Sequence, residues 1–194
     1  MSLTLITDRT EDDVRRLAAL LAKPYSTWTD AERTWFSGAG EPVRGDYRYT
    51  DRNRVGAAVA TLQTQLLGGL QELAAYLAAR EVAPDELFRL PYEAADVDVS
   101  PRTDWTESGI PTREEMEAYL RDIRTLRGLL AMPGTLAPLP DSMRYLDHTG
   151  ANAIEETLLA VESALAAALA DRKANADRAA LGQWHSAEIN CGEE

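Results

Sequence analysis

Along most of the chain, apolar residues recur at intervals of three and four, and each run opens on a helix-start signal. Thr10 stands before Glu11, Asp12 and Asp13, where the exposed N–H groups of a helix start favour acids, and Val14, Leu17, Leu20 and Leu21 follow on one face up to Pro24. Thr29 and Glu32 have capping-box spacing, ahead of Trp35, Phe36 and a Gly38 stop, which predicts a helix of barely two turns. The longest run begins near Thr50 or Asp51 and continues to about Arg80, with Val55, Val59, Leu62, Leu66, Leu70, Leu73 and Leu77 in a seam close to that of a coiled coil. Gly68–Gly69 interrupts it, marking either a kink or a place where a neighbouring helix comes close. Thr112 and Glu115 open a further helix through Met116, Leu120, Ile123, Leu126 and Leu130. A last long helix starts around Gly150 with Ile154, Leu158, Val161, Leu165 and Leu169. Ten alanines in 160–180 favour helix and close interhelical spacing.

Two segments break the pattern. Residues 81–111 hold eight acids, two arginines and four prolines, and read as a long ordered connector pinned by Phe88, Tyr92 and Trp105, with one short strand near Val97 and Val99 closed by Pro101. Residues 181–194 leave the helical period and read as an extended docking tail or edge strand. The expected fold is therefore mainly α: an elongated helical bundle of about four principal helices with a long ordered connector and an extended C-terminal segment. Residues 1–180 form the helical domain and 181–194 the tail. The long helix and the last helix are expected to pack together.

Composition narrows the function. The 194 residues carry 32 acids against 20 bases, a net charge of -12. Half of that excess lies in 81–111. Such a balance argues against a duplex nucleic-acid partner, which requires a basic footprint. There is no secretory signal pattern at the start and no apolar stretch long enough to span a membrane. A single cysteine, Cys191, allows no internal disulfide. His148 lies in a turn before a helix, and His185 with Cys191 makes too few ligands for a structural metal site. Asp96, Asp98 and Asp104 miss the calcium-loop spacing. Phosphate-loop, zinc-protease and nucleophile-elbow motifs are absent. No catalytic residue, cofactor or metal is expected.

The informative residues are non-catalytic. Tyr47, Tyr49, Asp51, Arg52, Asn53 and Arg54 gather at the start of the long helix, and Thr103-Asp-Trp precedes another. They suit anchoring of loops to helix ends, or else a carbohydrate or protein surface lined by Trp28, Tyr47, Tyr49 and Trp105. Leu66, Leu70, Leu73 and Leu77 are candidates for the core or for a subunit interface. Trp184 and Ile189 are candidate docking residues in the tail.

Several of these segments carry a resemblance. Leu5-Ile-Thr-Asp-Arg-Thr, Asp13-Val, Thr29-Asp-Ala-Glu, Tyr49-Thr-Asp-Arg-Asn-Arg-Val-Gly, Thr103-Asp-Trp, Ile110-Pro-Thr-Arg-Glu-Glu-Met-Glu-Ala-Tyr-Leu, Ala151-Asn-Ala-Ile-Glu and Ser186-Ala-Glu-Ile-Asn-Cys-Gly-Glu occur in that order. Together they resemble tail-associated structural proteins of the baseplate or fibre region in bacteriophages and prophages of Gram-positive bacteria. The resemblance implies a non-enzymatic virion structural or adaptor protein, made in the host cytoplasm and placed in the tail, with other virion proteins and further copies of itself as partners. With the sequence ending at Glu194, a separate receptor-binding module is not expected, which favours a connector role. The alternative is a carbohydrate- or cell-surface-binding module.

Overall fold

In a computed structural model, residues 3–39 and 41–190 are described, with side chains as far as Gly182. Among these residues five α-helices form: α1 (Glu11–Leu21), α2 (Asp30–Ser37), α3 (Tyr49–Ala78), α4 (Arg113–Gly128) and α5 (His148–Asn190). All four expected principal helices start within two residues of their sequence signals, and α1 starts directly after Thr10. The caps explain why. Thr10, Thr29 and Thr112 each accept from the backbone N–H three residues on, while Asp13, Glu32 and Glu115 reach back to the cap.

The bundle is elongated, and its three long helices run the same way. Arg54 on α3 meets Glu155 on α5, Glu72 meets Lys173, and Tyr76 meets Asp177, each pair separated by 101 positions. That constant offset over more than twenty residues means two parallel helices in fixed register. The connector runs back along α3 in the opposite sense. Tyr92 donates to Leu66 O at 3.0 Å, Gln63 donates to Val99 O at 3.2 Å, and Asn53 brackets Trp105 with two bonds to its backbone. α4 then starts beside the first turns of α3 and follows it, as shown by Arg102 bonding Glu115 and by Ser100 N–H donating to Asp122.

Between the three helices lies one core. Val55, Leu62, Leu66, Leu120, Ile123, Leu126, Ile154, Leu158 and Val161 are almost wholly shielded from water. Each stabilises the fold by roughly 1.5–3 kcal/mol. Gly68–Gly69 leaves α3 unbroken. A Cβ on Gly69 would meet the Leu165 and Leu169 methyls at 3.4 Å, whereas one on Gly68 would meet nothing. The pair thus marks close approach to α5 on one side and solvent on the other.

Two local expectations change. The segment around Val97 and Val99 forms no strand among the described residues. A turn of 3-10 helix at Ala94–Asp96 precedes it, and its polar backbone is satisfied by Gln63 and Asp122 from α3 and α4, so no second strand is needed. The backbone of α5 stays helical to Asn190 instead of turning extended after Ala180, because alanines continue past the last core leucine and no proline stops it. With the 101-residue offset, Ala179 lies beside the last residue of α3. α5 therefore runs on about 16 Å without that partner, which is why its apolar period fades. The side chains of Trp184 and Ile189, and residues 191–194, lie outside the described residues.

Candidate functional site: a buried charge clamp and an adjoining cleft

The extended segment ahead of α1 lies antiparallel along α5. Leu3 N–H donates to Glu162, Ile6 N–H to Glu155 at 2.6 Å, and Arg9 N–H to Asn152 Oδ1 at 3.1 Å, while Asn152 Nδ2 returns a bond to Arg9 O. An extended chain has no partner for its backbone groups, and the side chains of one α5 face supply them.

Arg9 is 3% exposed and reaches inward. Its Nη2 donates to Asp51 Oδ1 at 2.9 Å and to Glu155 Oε1 at 2.6 Å, and its Nη1 to Ile6 O. Arg54 donates to the same two carboxylates, at 2.5 Å to Asp51 and 2.8 Å to Glu155. Two guanidinium groups and two carboxylates thus cancel in charge inside the fold, where an unpaired ion would cost several kcal/mol. Burial works against the charge on Arg54, yet Glu155 and Asp51 hold its pKa above the ordinary value. Asp51 Oδ2 also accepts from Arg48 N–H at 2.8 Å, so the clamp caps α3 as well.

Tyr47 forms one wall. The Arg9 guanidinium lies 5.4 Å from its ring centroid, and its hydroxyl meets that of Tyr119 at 2.6 Å. Burial pushes both phenols above the usual tyrosine range, so the pair remains neutral. Nearby, Trp105 is buried, with the Arg52 and Arg102 guanidiniums 5.3 and 4.1 Å from its ring centroid, and Asn53 holds its backbone. Gly56 permits this approach: a Cβ there would sit 2.0 Å from Arg102 O.

Beyond Tyr47 opens a cleft of about 960 Å³, walled by the 45–47 loop, the start of α4 and the 141–146 loop. Met116, Leu120 and Met143 line its floor, and Arg52, Arg113, Arg124 and Arg144 stand around it. Three acids also face it. Asp46 is paired with Arg48, Glu117 with Arg113, and Asp141 has no ion-pair partner among the described residues. Burial raises the Asp46 pKa despite its arginine. Arg124 donates to the Pro140 and Asp141 carbonyls, while Arg52 and Arg144 have no carboxylate partner among the described residues.

These positions decide several sequence expectations. Asp51, Arg52, Asn53 and Arg54 do anchor chain segments to a helix start. Leu66, Leu73 and Leu77 are buried in the chain's own core and Leu70 is half-buried against it, which removes the first three from any subunit interface. Trp28 and Trp105 are buried, with Trp28 Nε1 bonded to Lys23 O at 3.2 Å and its ring edge-on to Phe36. Tyr47 is committed to Tyr119, and Tyr49 is half-buried in the first turn of α3. The four aromatics therefore do not form one ligand surface, because Trp28 and Trp105 are buried and Tyr47 is bonded to Tyr119. Arg9, Asn152 and Glu155 escape the sequence reading as a set. Their signal is Glu155 and Glu162, two acids seven residues apart flanking the apolar seam of α5.

Among the described residues no group of histidine, cysteine and acidic side chains is arranged to hold a metal ion, and no helix is long and apolar enough to cross a membrane. No protein-family model, curated protein or solved structure matches the chain.

Proposed function

We propose that this chain is a non-enzymatic structural or adaptor subunit of a bacteriophage tail or baseplate, acting by contact with other virion proteins. One observation carries the reading. Five of the eight segments that resemble tail-associated proteins, Leu5–Thr10, Tyr49–Gly56, Thr103–Trp105, Ile110–Leu120 and Ala151–Glu155, meet at one end of the bundle, where their polar groups pair mainly with one another. Arg9, Asp51, Arg54 and Glu155 neutralise each other, Asn53 holds Trp105, and Tyr119 holds Tyr47. Groups spent in this way stiffen a framework. A stiff, elongated, acidic rod suits a part that transmits position within an assembly, with its surface charge limiting indiscriminate association.

The test is made on particles. Tails released by the strain that carries the gene are purified on a density gradient and analysed by mass spectrometry, and the gene is deleted in parallel. The chain is expected in stoichiometric amount in the tail fraction, and the deletion is expected to yield tails with an incomplete tip. Intact tails without the chain overturn the proposal.

A further inference from the structure

We propose that the arginine-rimmed cleft receives a second copy of this chain, head to tail, by its exposed acidic turn at 84–87. This extends the assembly reading by naming a partner and the faces that meet.

The cleft is an exception on a chain of net charge -12. Its lining sets Arg52, Arg113, Arg124 and Arg144 against Asp46, Glu117 and Asp141. Arg52 and Arg144 have no carboxylate partner among the described residues, Arg113 pairs with Glu117 on the exposed rim, Arg48 holds Asp46, and Arg124 spends its bonds on carbonyls. The starts of α3, α4 and α5 share this end, so their aligned dipoles add to the positive potential there. The floor is apolar, and beside the rim stand Ile110 and Tyr145, 91% and 81% exposed. Such a surface fits a carboxylate-bearing loop that also carries an apolar side chain.

The chain presents such a loop at its other end, about 40 Å away along α3. Pro84, Asp85, Glu86 and Leu87 follow the end of α3, and Leu87 is 69% exposed between acids and the buried anchor Phe88. The turn is held in shape: Asp85 Oδ1 accepts from Leu87 N–H at 2.7 Å, and Phe88 N–H donates to Asp85 O at 3.1 Å. Glu81 adds a third acid just before it. Cleft and turn lie at opposite ends of parallel helices, so the contact is heterologous and leaves one copy of a pair with an open turn and the other with an open cleft, which makes chains or closed rings.

Charge exchange tests it on the full-length chain. Arg113→Glu with Arg144→Glu alters only the cleft, and Glu81→Arg with Glu86→Arg only the turn, since Asp85 is kept to preserve its fold. In sedimentation velocity at up to about 1 mM protein and low salt, the average mass should exceed that of a monomer, falling back to it near 0.5 M salt. Each double variant should weaken association at least about tenfold, and an equimolar mixture of the two should restore it, because the unaltered cleft of one variant then meets the unaltered turn of the other and each acidic cleft meets a basic turn. Circular dichroism checks that both variants keep the helical fold. A monomer at every concentration, association indifferent to both charge reversals, or a mixture that stays monomeric overturns the contact. A monomer leaves the tail-particle experiment free to succeed, so the two proposals fail separately.

Discussion

The α3–α5 pair is stitched by charge at both ends, and the two ends use the same register in opposite surroundings. Near the start, Arg54 faces Glu155 inside a clamp whose two carboxylates are at most 3% exposed, and Arg9 is drawn in from a distant part of the chain. Near the far end, Glu72 faces Lys173, and Asp177 faces Tyr76 and Arg80, with the charged side chains between 26% and 56% exposed. The pairings look alike in sequence. Only the first excludes water, and that decides what each pair does. A buried carboxylate must have its partners or the segment cannot pack, so the clamp specifies how the N-terminal segment, α3 and α5 come together. An exposed pair trades one set of water contacts for another and specifies little.

The sharpest way to break this comparison is Glu155→Ala. It removes one of the two carboxylates that Arg9 and Arg54 share and the acceptor of the Ile6 N–H, leaving an excess positive charge buried over Asp51 alone. A loss of about 3–5 kcal/mol is expected in urea unfolding, which is a large part of the stability of a domain this size. Loss of helix-wide cooperativity should accompany detachment of the first ten residues, visible as fast amide exchange at Ile6 and Arg9. A cost below about 1 kcal/mol would place Glu155 with the exposed pairs and dissolve the distinction.

Gly56→Ala probes the same end through shape. Its Cβ would collide with Arg102 O, so the connector must lift from α3 and take Trp105 with it. About 2–3 kcal/mol of destabilisation is expected, read by thermal unfolding, together with a shift in tryptophan fluorescence toward that of an exposed ring. Two-thirds of the way along the same helix, Gly68→Ala should act in the other direction. Nothing stands within 4 Å of the new methyl, and replacing glycine in a helix interior stabilises by about 1 kcal/mol. A rise in midpoint denaturant concentration for Gly68→Ala alongside a fall for Gly56→Ala would show that the two glycines do different work.

Much of the framework is legible in the sequence because it rests on local rules. Thr10, Thr29 and Thr112 fix helix starts through contacts three residues away, and the leucine seam of α3 identifies its buried face whichever helix covers it. What remains hidden depends on distance along the chain. Nothing local to Arg9 announces that it will meet Asp51 and Glu155, 42 and 146 residues on. Nor does periodicity state direction, so the parallel course of α3 and α5 and the return of the connector between them are invisible. Val97 and Val99 mislead for a related reason. Alternating valines suit a strand, yet their neighbours are helices whose Gln63 and Asp122 side chains do the work of a second strand. Trp28 and Trp105 invite a ligand-surface reading because an aromatic near polar residues looks the same whether it faces solvent or seals a loop.

The far end supplies the smallest effect and the control for all the others. Lys173 pairs with Glu72 and stands 5.2 Å from the centroid of Tyr76, an arrangement that in sequence has the same standing as Arg54 with Glu155. Water competes for both charges, and holding two long side chains in place costs entropy, so Lys173→Ala should destabilise by no more than about 0.5 kcal/mol. A double-mutant cycle with Glu72→Ala should return a coupling of the same size that shrinks in about 0.5 M salt, where exposed charges more than a few ångströms apart are screened. The clamp coupling between Arg54 and Glu155, measured in the same cycle format, should be several times larger and change little with salt, because ions do not reach it. If the two couplings were equal and equally sensitive to salt, burial would not be what separates the ends of the bundle, and the clamp would lose its claim to organise the fold.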